Sequence, residues 1–164
     1  MPTPTPPSTV PSVPNAARAY DALRPKILQR LVETRASLDA SLARMDETAA
    51  RGQLDAVLER IGNFIATGDL GLHRAFLHTF LAMRAAEAQL PGAVLAMLVA
   101  IGDTAAEVAQ DAGTAEMAEL ALMLTRVTAS TARAVNDLVA EELERRTEQL
   151  AELRTKEHDA LEPV

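Results

Sequence analysis

The chain has 164 residues, 48% of them hydrophobic, with one Tyr, three Phe, no Trp, no Cys and a formal net charge of −7. That is one domain's length with enough apolar material for a core. The acidic balance without a basic stripe excludes a phosphate-tracking nucleic-acid module, and the missing cysteines exclude disulfides and thiolate chemistry. A core of Ala, Leu, Val and Met with almost no aromatic or β-branched runs favours helices over strands.

The opening stretch "MPTPTPPSTVPSVPN" concentrates proline and carries no charged side chain. Proline at this density blocks helix and sheet ladders, so residues 1–14 read as a disordered or polyproline-like tail, with a docking peptide for a proline-binding module as the functional alternative. It has no basic segment leading into an apolar one, as a secretion signal would. The longest apolar run, "AVLAMLVAIG", is about half of a ~20-residue membrane span. A cytoplasmic protein that engages neither membrane nor nucleic acid is the expectation.

Asn15 can cap a short helix over Ala16 to Leu23, and Pro25 suits the first turn of a second one. From there Leu28, Leu31, Leu38, Leu42 and Met45 form one stripe at helical spacing. After a break over Asp46 to Gly52, the next stripe is Leu54, Val57, Leu58, Ile61 and Ile65, closed by "TGD". Asp69 caps the following helix, whose predicted inner face is Leu72, Phe76, Phe80, Leu81 and Met83. "LPG" ends that helix and Pro91 starts another, with Val94, Leu98, Ile101, Ala105 and Val108 inward. Gly113 is a natural C-terminal cap, and Thr114 opens the last helix with Glu116 in its first turn.

That last helix has no Gly or Pro until Pro163, so it can run for about 48 residues, or ~70 Å. Met117, Leu120, Leu124, Val127, Thr131, Val135 and Leu138 line one side. Past Glu141 the composition turns to charge. Leu143, Leu150 and Leu153 then fall at a and d positions of a heptad, with Val139 before them at d, Asn136 at a and Arg146 interrupting. The expected architecture is all-α: a compact helical bundle over residues 15–140, globin-like or four-helix, and a charged coiled-coil-like signalling helix over 141–164. The expected dimer and output helix uses Leu124, Val127, Val135, Leu138, Val139, Leu143, Leu150 and Leu153, with most of the apolar area from Leu124 to Leu138.

No catalytic motif stands out. His73 and His78 are five apart, about 140° round a helix, so they cannot share a metal. Either could in principle meet a haem iron from inside the bundle, although a hydrogen-bonded or exposed histidine is the commoner outcome. His158 sits in the charged tail. Asp55–Glu59 and Asp103–Glu107 are i,i+4 carboxylate pairs with nothing beside them to complete an acid–base or metal site. The glycines form no phosphate loop, and no Gly-x-Ser-x-Gly is present. The chain reads as a non-enzyme without a cofactor.

A helix ending in "TGD", then "LGLHRAFLHTFLAMRAAEAQLPGAVLAML", then a long helix ending in "EELERRTEQLAELR" resembles the N-terminal sensor domains of RsbR-type bacterial stressosome proteins and related sensor modules. The resemblance covers roughly Gln53 to Leu153. It implies a globin-like fold, commonly without haem, that dimerises through its last helix and hands a signal to an output domain such as STAS. "DALEPV" then looks like the point before such a domain. The expectation is a non-enzymatic dimeric sensory domain relaying a signal to an output domain or partner protein. The alternatives are a helical scaffold or adaptor and a haem- or small-ligand-binding helical domain.

Overall fold

A computed structural model describes residues 13–161 and is all-α: α1 (Val13–Glu33), α2 (Arg35–Leu38), α3 (Ala40–Arg44), α4 (Glu47–Thr67), α5 (Leu70–Ala86), α6 (Pro91–Asp111) and α7 (Ala115–Leu161). Most of the stretch expected as a disordered tail, residues 1–12, lies outside the described residues, while Val13 and Pro14 belong to the first turn of α1.

The expected break before Pro25 does not occur, and α1 runs through it. The reason is burial on both sides of the proline. Tyr20, Leu23, Ile27 and Leu31 all face the core, and that common face outweighs the loss of one helical hydrogen bond. The Tyr20 hydroxyl donates to the Leu58 carbonyl at 2.7 Å, and Arg24 Nε donates to Asp55 Oδ1 at 2.9 Å. α1 and α4 are thus pinned just before the bend-prone residue, and beyond it Gln29 accepts from Arg51 at 3.0 Å. The Tyr20 ring packs against the Gly62 backbone, where a Cβ would meet it at 2.9 Å.

The stripe expected from Leu28 to Met45 is broken into three pieces. Thr34 ends α1, and Asp39, in an extended conformation, caps α3 by accepting from the Ser41 and Leu42 amides. An aspartate that offers its own carboxylate to the next turn competes with helix continuation. Met45 is extended and Asp46 caps α4, accepting from the Ala49 amide at 2.9 Å. The α4 stripe is buried as expected, and Gly68, in the left-handed region at φ 65°, ends the helix. Asp69 caps α5, accepting from the Leu72 amide.

α6 is the central helix. Val94, Leu98, Ile101, Ala105 and Val108 are all buried in it, as expected. By length and apolar composition it could cross a membrane, more than its short apolar core suggested, but here α1 and α7 cover it. α6 and α7 form the most extensive pairing, joined through Gly113 at φ 73°. They approach closely at Gly102, where an added Cβ would sit 1.9 Å from Thr128 Oγ1.

The face of α5 is rotated from the expected one. Leu72 and Met83 are exposed, Phe76, Phe80 and Leu81 are partly covered, and His73, Leu77 and Arg84 are the buried residues. Two polar groups therefore occupy the inner face, each with partners that make this tolerable.

Candidate interaction face and relay contacts

α7 carries two stripes. The inner one contains Leu124, Val127, Val135 and Leu138, between 1% and 9% exposed and packed in the chain's own core. These four residues were expected to supply most of a dimer contact. In the folded chain α1, α5 and α6 already cover that face.

The second stripe lies about 100° round the helix, since each of its members follows an inner residue by one position. Thr125 follows Leu124, Ala132 follows Thr131 and Val139 follows Leu138. Carried back from Leu143, the heptad places Ala132 at d, Ala129 at a, Thr125 at d and Leu122 at a. Leu122, Thr125 and Ala129 are exposed, and Ala132 and Val139 are half-buried. Beyond the bundle Leu143, Leu150 and Leu153 are 60%, 60% and 56% exposed. Of the a and d positions between Leu122 and Leu153 only Arg146 is charged. Its Nε donates to Glu142 Oε1 at 2.7 Å, and Arg145 Nε donates to Glu142 Oε2 at 3.0 Å. These two guanidinium groups hold the Glu142 carboxyl below the usual range. Such i,i+3 and i,i+4 pairs support the helix where no neighbour packs on it.

Two consecutive residues fasten α5 to α7. His73 is buried, and its Nε2 lies 2.8 Å from Thr131 Oγ1. Its ring stacks on Phe64 with centroids 4.4 Å apart and planes 9° apart. Its Nδ1 is buried without a hydrogen-bond partner, and burial holds its pKa below the ordinary histidine value. Arg74 pairs with Glu141 at the surface.

At the other end of α5, Arg84 is wholly buried. Its guanidinium donates to Glu87 Oε2 at 2.9 Å and Ser41 Oγ at 3.1 Å, and lies 3.6 Å from Asp39 Oδ1. Burial raises the Asp39 pKa, but the Ser41 hydroxyl, the Ser41 and Leu42 amides and Arg84 outweigh it and leave the carboxyl below its usual range. The cluster ties α5 to the α2–α3 corner. Its place was legible in the spacing of His73, Leu77, Phe80, Leu81 and Arg84, which describes a helical face once a charged member is allowed on it.

A cavity of about 10 Å³ lies between α4, α5, α6 and α7, lined by His73, Leu77, Gly102 and Thr128 among others. That is room for about one water, far short of a tetrapyrrole. His73 Nε2 is already engaged by Thr131, and His78 is exposed. Among the described residues no three His, Asp or Glu side chains are grouped to hold a metal. No protein-family model, characterised protein or solved structure matches the chain.

Proposed function

We propose that the chain is a non-enzymatic regulatory domain that pairs with a second copy along the outer stripe of α7 and relays changes in the bundle to an output domain or partner protein. The observation that carries this reading is the stripe's continuity from the bundle into the exposed helix. From Leu143 to Leu153 it covers under two heptads, and from Leu122 it covers more than four. A coiled coil needs about three to four. Thr125, Ala129 and Ala132 are small, which lets two bulky domains approach, and the leucines follow where nothing else covers the helix.

Parallel pairing fits the flanking charges. It sets Glu142 opposite Thr147 and Gln149 opposite Arg154, and matches Asn136 with its own copy, as register-setting a positions do. The antiparallel register that pairs Leu143 with Ala132 places Arg126 beside Arg154 twice. The order of elements that resembles RsbR-type sensor domains supports the same relay. The buried polar groups His73, Arg84 and Tyr20 lie apart, each engaged in a structural contact, which supports a domain without chemistry of its own.

The test is sedimentation of the whole chain, a version ending at Ala140 and the Leu143→Asp/Leu150→Asp variant. The whole chain is expected to be a dimer, with both variants folded and more weakly associated. A whole chain that stays monomeric at high micromolar concentration contradicts the proposal.

A further inference from the structure

We infer that His73 is a proton-operated clip: neutral, it holds α5 against Thr131 of α7, and protonated, it must leave the core and so releases α5. The inference concerns the input to the domain and stands whether or not two copies pair; only its consequence for the exposed helix rests on the proposed function.

The geometry makes the ring tolerable only when neutral. The imidazole is 5% exposed, with Phe64 on one face and Phe76 at 6.4 Å. One nitrogen meets Thr131, and the other has no partner. A neutral ring can leave Nδ1 as a bare lone pair among apolar groups. The charged ring carries an N–H on both nitrogens, and no protein group is placed to accept from the Nδ1–H.

No countercharge stands by. The surrounding elements carry charged groups, among them Arg60 on α4, Asp69 and Arg74 on or beside α5, Asp103 on α6, and Arg133 and Glu141 on α7. None hydrogen-bonds the ring. Arg60 lies over Phe76 at 5.9 Å, Asp69 accepts from the Leu72 amide, and Arg74 is paired with Glu141. Asp103 and Arg133 are exposed.

α5 is also the element best suited to move. It is the long helix with the least cover, and it exposes Leu70, Leu72 and Met83. Its polar contacts with α7 at this end are the His73–Thr131 pair and the surface Arg74–Glu141 pair, beside the apolar packing of Leu77. Burial depresses the folded-state pKa of His73. The stabilising contact is therefore complete above the unfolded value of about 6.5 and is lost as pH falls from there through the lower folded value. Carboxylates titrate mostly below this window.

Hydrogen exchange of the whole chain at pH about 7.5 and about 5.5, corrected for intrinsic rates, tests the clip. Amides of Leu70–Ala86 should open more at the lower pH, by up to about tenfold, the ratio set by one pH unit below an unperturbed histidine. Glu47–Thr67 and Pro91–Asp111 should change little. The His73→Gln variant keeps an amide near Thr131 but cannot be charged, and its α5 should be indifferent to pH. An equal acid response in His73→Gln, or one spread evenly over all helices, overturns the clip. Direct titration of the ring by NMR decides the matter independently of any variant: a folded-state value at or above the ordinary one contradicts it.

Discussion

The two halves of α7 share one unbroken helix and differ in what covers them. From Leu120 to Leu138 the helix presents a stripe that α1, α5 and α6 bury. From Leu143 onward every residue with described burial is exposed, although leucines recur at a helical spacing. Helix formation is thus separable from burial in this chain. The inner half is fixed by packing. The outer half has good helix formers and Glu142 clasping Arg145 and Arg146, which suffice for a helix but leave its apolar edge unused. The bundle leaves that leucine seam uncovered.

Leucine-to-alanine changes in the two halves should give opposite readouts. Leu124→Ala opens a hole in a closed core and should cost about 2–5 kcal/mol in chemical denaturation. Leu150→Ala should leave the unfolding free energy of the bundle nearly unchanged and weaken self-association instead. Equal destabilisation by the two would erase the distinction between inner and outer α7.

Adding one methyl sharpens the same contrast. Gly102→Ala would drive a Cβ into Thr128 where α6 and α7 approach closely, and overpacking of this kind costs about 1–3 kcal/mol. Gly52→Ala, in a helix whose added Cβ meets nothing within 4 Å, should raise stability by about 0.5–1 kcal/mol through helix propensity. Thermal or urea unfolding of the two variants reads the sign. A neutral Gly102→Ala would mean that α6 and α7 are not held at the observed distance.

Where the sequence led and where it failed follows from what each pattern encodes. The α4 and α6 stripes, the caps at Asp69 and Gly113 and the length of α7 were legible because each is set by local spacing and turn chemistry, whereas the break expected over Asp46 to Gly52 shrinks to Met45 and Asp46, since Asp46 caps α4 from Glu47 onward. Pro25 misled because its local cost is overridden by the face that Tyr20 and Ile27 share across it. α5 misled because it has apolar residues on two faces. Phe76 and Met83 suggested one, while the pairings of His73 with Thr131 and of Arg84 with Asp39 selected the other. Partners fifty-eight residues apart leave no mark in a helical period. The inner part of the expected dimer stripe falls in the chain's own core for a related reason. Leu124 and Leu138 look as suitable for a second copy as for the chain's own core, and only the fold shows which of the two claims them.

The central claim, a parallel seam running from the bundle into the exposed helix, is met most directly by disulfide trapping, for which a chain without cysteine is an ideal background. Single Ala132→Cys, Leu143→Cys and Leu150→Cys variants, with Asp137→Cys as the off-seam control, would be oxidised at low concentration and resolved by non-reducing electrophoresis. The account predicts rapid cross-linking at Ala132, Leu143 and Leu150 and little at Asp137. Cross-linking at Leu143 and Leu150 without Ala132 would confine the contact to the exposed helix and refute its continuation over the bundle. No preference for the seam over Asp137 would contradict the pairing altogether.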